Sequence, residues 1–157
     1  MKTTDPAPPF TVQGTDWSRD AGELYAVRYQ VFVVEQGVPE ALEQDEFDPV
    51  CWHVLARGQD NQAIGTGRLL PDGRVGRLAV LKHWRGRGVG RALLDYLLQR
   101  ARQQGFSRIE LHAQVQAQAF YAEFGFVATG EIFMEAGIPH RTMRRTLPVT
   151  TLSEDRS

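Results

Sequence analysis

The chain has 157 residues, enough for one domain with a sizeable core and too few for two. Its formal net charge of −1 gives no global pull towards nucleic acid or an anionic membrane, so any anion site must be local. The single cysteine, Cys51, excludes an intramolecular disulfide and a cysteine-rich zinc site, and no segment approaches the roughly 20 apolar residues of a membrane span.

Residues 1–9 hold three prolines and no apolar signal-peptide core, so they read as a lead-in to a domain over 10–147. Phe10 to Gln13 is a short first strand. Asp16 or Ser18 then caps a helix that carries Leu24, Ala26, Val27, Tyr29, Val31 and Phe32 inward and ends near Gln36-Gly37. Pro39 opens a short helix or turn through Glu40 to Gln44. Trp52 to Ala56 and Ala63 to Leu70 read as a hairpin of strands, followed by the Pro71-Asp72-Gly73 turn and a strand from Val75 to Leu81. Gly88 to Gln104 is the clearest helix, with Val89, Leu93, Leu94, Leu97, Leu98 and Ala101 on one face and Gly105 after its end. Ser107 to Ala113 is a strand, Gln116 to Phe124 a short helix, and Phe126 to Glu135 and His140 to Leu147 are strands around a Gly137-Ile138-Pro139 turn. Residues 148–157 form a polar tail. The order predicts a mixed α/β domain with an antiparallel run and one crossover helix.

The most informative stretch runs from Leu78 to Leu94. An apolar strand enters the turn Arg85-Gly86-Arg87-Gly88-Val89-Gly90, which opens the long helix. Bare N–H groups at a helix N-terminus attract anions, and glycines let a phosphate approach the backbone. Arg85, Arg87 and Arg91 add charge-assisted bonds at the rim. No Gly-Lys-Ser/Thr follows, which removes a Walker loop, and neither register supplies the third glycine or alanine of a dinucleotide fingerprint.

Arg85, Gly88 and Gly90 fit Arg-x-x-Gly-x-Gly, and in this context the segment resembles the pyrophosphate-binding motif of the GCN5-related N-acetyltransferases (GNAT). Ala117, Phe120, Tyr121, Gly125 and Phe126 resemble that family's A-x-x-F-Y-x-x-x-G-F segment. Further matches around Val31 to Pro39, Asp45-Glu46 and Glu135 to His140 are similar to the ElaA/YjcF-type branch. The resemblance implies a GNAT-like single domain. Its central sheet would be mostly antiparallel, with about seven strands and about four helices, and would splay at strands 4 and 5. It also implies acetyl-CoA as cofactor and transfer to a small-molecule or peptide amine, with no nucleic-acid or membrane partner and a homodimer compatible with it. Leu78, Ala79 and Val80 would pair with the pantetheine arm, the Val80 N–H would stabilise the oxyanion, and Tyr121 would protonate the departing thiolate. The turn from Arg85 to Arg91 (Gly86, Arg87, Gly88, Val89 and Gly90 included) would hold the pyrophosphate. Gln114, where many relatives have Asn, would offer an amide to the cofactor.

The acceptor side is less defined. No Lys or Arg lies between Arg28 and Arg57, whereas Glu35, Glu40, Glu43, Asp45, Glu46 and Asp48 do, which predicts an acidic lobe suited to a cationic amine. A solvated acidic face is the equal alternative. The family's base positions hold Arg74 and Gly76, so the base is unassigned, with Glu35, Glu46, His53, His112 and His140 as candidates. Glu35, Glu46, His53 and His112 are the expected substrate-side residues, and none has the spacing of a metal site. Cys51 would be the nucleophile of a ping-pong route, but direct attack in a ternary complex is expected. The alternative is an acyl-CoA-binding sensor without catalysis. A cytoplasmic location fits the sparing use of cysteine.

Overall fold

The computed structural model describes residues 9–148, so the expected lead-in and tail fall almost wholly outside the described residues. Strands β1 (Phe10–Thr15), β2 (Trp52–Gly58), β3 (Ala63–Leu69), β4 (Arg74–Val80), β5 (Arg108–Gln114), β6 (Val127–Glu135) and β7 (Ile138–Thr146) form one sheet in the order β1-β2-β3-β4-β5-β7-β6. Every neighbouring pair is antiparallel except β4 and β5, which are parallel. The helices are α1 (Trp17–Arg28), α2 (Glu40–Glu43), α3 (Val89–Gln103) and α4 (Gln118–Ala122).

Helix α3 lays its predicted apolar face on the sheet, and Leu93, Leu94 and Leu97 are fully buried there. Its approach to β3 is close because Gly65 and Gly67 of that strand face it without a Cβ. A Cβ on Gly67 would stand 2.9 Å from Leu78 and 3.0 Å from Leu97. The opposite sheet face takes α1, where Val27 and Val31 close over Ala79. Helix α1 does not stop at Arg28; it widens into a π-helical segment over Tyr29–Glu35, with Gln36 N–H donating to the Val31 carbonyl at 3.1 Å. Single π-turns of this kind are frequent at functional sites.

Two features of β4 shape the site. Arg68 pairs with Gly76 and Thr66 with Ala79, so Gly67 of β3 faces both Arg77 and Leu78. That is a β-bulge, and Arg77 adopts φ 51°, in the left-handed region. Beyond the bulge β4 leaves β5: the parallel pair is limited to Arg74–Glu110 and Val75–Leu111, and the sheet opens from Gly76 onward.

One predicted turn is displaced. The β6–β7 hairpin turns at Ala136-Gly137 (φ 51° and 78°) rather than Gly137-Ile138-Pro139, and Pro139 pairs with Met134 inside β7. A two-residue loop with both residues at positive φ matches the twist of a hairpin. Proline is tolerated at this place because β5 ends at Gln114, opposite His140, so the side of β7 next to Pro139 has no strand to receive a donor.

Candidate active site

The opening between β4 and β5 is the floor of a cavity of about 630 Å³. Its wall combines Leu78, Ala79 and Val80 of β4, Gly90 of α3 and Phe120 and Tyr121 of α4 with Val31, Phe32 and Gln36 from the π-helical segment. His112 of β5 and Glu135 and His140 of the β6–β7 hairpin close the far side.

The ladder fixes the direction of the Val80 main chain. Leu81 N–H donates to the Ile64 carbonyl at 2.9 Å, which makes Ile64–Leu81 a hydrogen-bonded pair and the adjoining Gly65–Val80 pair a non-bonded one. The Val80 N–H therefore points away from β3, into the gap that β5 has vacated. Above it, α3 begins at Gly88 (φ 88°), which no side chain caps. The first helical bond is Ala92 N–H to the Gly88 carbonyl at 3.0 Å, so the amides of Val89, Gly90 and Arg91 have no intrahelical acceptor. Among the described residues, apart from the glycines' own chain neighbours, no atom lies within 4 Å of where a Cβ on Gly86 or Gly88 would stand, which leaves the turn open to a phosphate. Bare amides over a free strand edge fit a long phosphorylated thioester: the turn would hold its pyrophosphate and β4 its amide-bearing arm.

The three turn arginines have partners of their own. Arg85 is a bidentate partner of Glu35, at 2.8 and 2.6 Å, and its Nε donates to the Val80 carbonyl at 2.9 Å. Arg87 lies over the Trp84 ring, and Arg91 over Phe124 while bonded to Glu123. Gln114 exchanges amide bonds with Gln36 across the gap, at 2.8 and 3.3 Å.

Tyr121 is half-buried among Phe120 and Phe126, and burial pushes its hydroxyl up to about 12. A phenol so shifted stays protonated across the physiological range, as a proton donor must. His140 is buried, and its Nδ1 lies 2.7 Å from the Ile138 carbonyl. A carbonyl only accepts, so Nδ1 carries the proton and Nε2 keeps its lone pair. His112 is more exposed, with Nδ1 2.9 Å from a Glu135 carboxylate oxygen. Phe133 lies edge-on to His112 and stacks on His140.

The other expected acceptor residues separate. Glu35 sits at the mouth, held by Arg85, which keeps its carboxyl below the usual carboxylate range. Glu46 is exposed and does not line the cavity. His53 is buried against Trp17, bonded through Nε2 to the Asp48 carbonyl at 2.9 Å, and burial lowers its pKa. Cys51 is buried outside the cavity wall, and burial pushes its thiol up to about 11.

The expected acidic lobe is not an acidic surface. Glu43 and Asp48 are buried and bonded to Arg28 at 2.5 and 2.9 Å. Arg68 reaches Asp45 and Asp48, both at 2.7 Å, and Arg77 reaches Asp45 at 3.2 Å. Buried carboxylates without such partners would be costly, so they are drawn inward to arginines from α1, β3 and β4. Sequence reading missed the bulge that aims Arg77. Its signal was present: Val75, Leu78 and Val80 share the α3 face, and a spacing of three breaks the two-residue period of a strand.

Comparison with known proteins identifies the family and the fold. The profile of the acetyltransferase (GNAT) domain family matches residues 8–147. YjcF of Bacillus subtilis, an uncharacterized N-acetyltransferase by name, is 36% identical over 78% of this chain and 90% of its own. The crystal structure of an acyl-CoA N-acyltransferase from Pseudomonas aeruginosa superposes with a TM-score of 0.78 at 33% identity, covering 87% of this chain and 99% of that one. Escherichia coli ElaA superposes with a TM-score of 0.77 at 29% identity, over 86% and 99% of the two chains.

Proposed function

We propose that this chain, which belongs to the GNAT acetyltransferase family, transfers the acetyl group of acetyl-CoA to a primary amine by direct attack within a ternary complex. The observation that carries this reading is the β4–β5 gap, where the outward Val80 N–H and the Tyr121 side chain share one cavity beneath the bare N-terminus of α3.

Acetyl-CoA supplies an activated acetyl thioester. The amides of Val89, Gly90 and Arg91 hold its pyrophosphate, with Gly86 and Gly88 permitting the approach and Arg85, Arg87 and Arg91 adding charge at the rim. Leu78, Ala79 and Val80 align the pantetheine arm, and Gln114 closes over it with Gln36. The Val80 N–H donates to the thioester oxygen as negative charge develops there. The Tyr121 hydroxyl gives its proton to the departing sulfur.

His140 takes a proton from the acceptor's ammonium, and the neutral amine so formed attacks the thioester carbon. Register places it opposite Gln114, two residues nearer the Val80 end of the gap than His112, and its Nε2 lone pair is free for the task. His112, with Glu135, borders the acceptor's entry. Direct attack is favoured over an acetyl-cysteine route because Cys51 lies outside the cavity and its raised pKa disfavours a thiolate.

Thiol release from acetyl-CoA across a panel of amines, with CoA binding followed by calorimetry, tests the reading. Amine-dependent release together with CoA binding supports it. No CoA binding at millimolar ligand overturns it.

A further inference from the structure

We propose that the acceptor is a small amine that also carries an oxyanion, a carboxylate or a phosphate, received by Arg77 and Arg68 at the end of the cavity away from the pyrophosphate turn. This rests on the reading of the cavity as the acetyl-transfer site.

The cavity wall holds four arginines, Arg68, Arg74, Arg77 and Arg85, against two glutamates, Glu43 and Glu135. Of the carboxylates that balance those arginines, Glu35, Asp45, Asp48 and Asp72 are not part of the wall, whereas Glu43, 3.6 Å from Arg77, is. Glu43 presents no free charge, since its carboxylate is buried on Arg28. Glu135 is turned to His112. A ligand in the acceptor half therefore meets guanidinium groups in front, with their counter-charges behind them.

Two of these guanidinium groups have donors to spare. Arg68 is buried and spends both terminal nitrogens on Asp45 and Asp48, but its Nε–H has no partner among the described residues. Arg77 spends Nε on the Glu43 carbonyl at 3.0 Å and Nη2 on Asp45 and the Leu42 carbonyl, while Nη1 makes no bond among the described residues. The Arg68 Nε–H is buried without a partner, which is costly, and a ligand oxyanion relieves that cost.

The field at Arg77 has the matching sign. Burial lowers its pKa, and the charges of Arg68 and Arg28 lower it further against the opposing pull of Asp45 and Glu43. The bulge then fixes where the guanidinium points. Arg77 holds φ 51°, a conformation strained for a non-glycine residue, and a strained residue with this aim is the pattern expected of a ligand contact.

The test uses the full chain and matched acceptors: amino acids and their carboxamides, amino-sugar phosphates and the parent amino sugars, and polyamines. Glycine and asparagine tolerate the bulge conformation, so Arg77→Gly and Arg77→Asn remove the charge without breaking β4. Wild type should use at least one acid-bearing series with kcat/KM tenfold or more above its neutral partner, and both variants should lose that ratio while binding CoA within about threefold of wild type. The series that is preferred separates carboxylate from phosphate. Neutral amines or polyamines used as well as the acids, or a ratio kept in both variants, overturns the proposal. Binding of the N-acetylated acids and their amides to CoA-saturated protein is measured alongside. Tight binding of the acids but not the amides, without turnover, overturns the transfer reading and sustains only the oxyanion site at Arg77 and Arg68; equal or absent binding of acids and amides without turnover overturns that site as well.

Discussion

Glu35 and Arg85, fifty residues apart in sequence, face each other with both terminal guanidinium nitrogens on both carboxylate oxygens, at 2.8 and 2.6 Å. The pair ties the π-helical segment to the turn before α3, across the cavity mouth. Because Arg85 also holds the Val80 carbonyl, one side chain connects the expected pyrophosphate turn to the strand edge below it.

That pair competes with a bound pyrophosphate for Arg85. Glu35→Gln should tighten acetyl-CoA binding by about threefold, the scale of a partly exposed ion pair, and steepen its salt dependence; Arg85→Ala should weaken binding. Calorimetry at low and high salt reads both. Unchanged affinity in the two variants would make the pair a strut alone.

Tyr121→Phe should lower kcat about 100-fold while the Kd for acetyl-CoA stays within about twofold. Since burial holds the hydroxyl at about 12, the wild-type rate should show no loss from tyrosine ionisation up to about pH 10. Pre-steady-state thiol release separates this step from product release. A variant with wild-type kcat removes Tyr121 as the acid.

His140→Gln should lower kcat/KM about 100-fold with most of the loss in kcat, whereas His112→Gln should act mainly on KM. Steady-state kinetics at saturating acetyl-CoA measures both; a kcat kept in the His140 variant and lost in the His112 variant would exchange their roles.

Acid stability follows from Asp45. Burial would raise its carboxyl, but the bonds and charge of Arg68, joined by Arg77, hold it at about 2. Its folded pKa is below the unfolded value of 3.8, so its contribution is present above pH 3.8 and is lost as pH falls towards 2. Asp45→Asn should cost about 2 kcal/mol at neutral pH, and the cost should shrink across that window. Urea unfolding at pH 7 and pH 3 measures it; an equal cost at both would mean the carboxylate charge is not what is lost.

The seven strands and the long helix were readable because each follows a local rule: alternation for strands, an apolar stripe for α3, glycine after its end. The bulge was not. Its three-residue spacing from Val75 to Leu78 is visible, yet a single break in alternation gains meaning only against the unbroken β3 that pairs with it. The π-helical widening after Arg28 was likewise hidden, since Tyr29–Glu35 has the composition of an ordinary helix continuation.

The sequence by itself determined the glycine turn and the open N-terminus of α3, because both are made of neighbouring residues whose geometry comes with their order. The tertiary structure decided the charges around the rest of the cavity. Six acidic residues in a stretch without Lys or Arg predicted an acidic surface, but Arg28, Arg68 and Arg77 arrive from α1, β3 and β4 to draw three of those carboxylates inward. The charge a ligand meets depends on which partner stands in front, and that is fixed by side-chain direction in the folded sheet, not by the local count of charges.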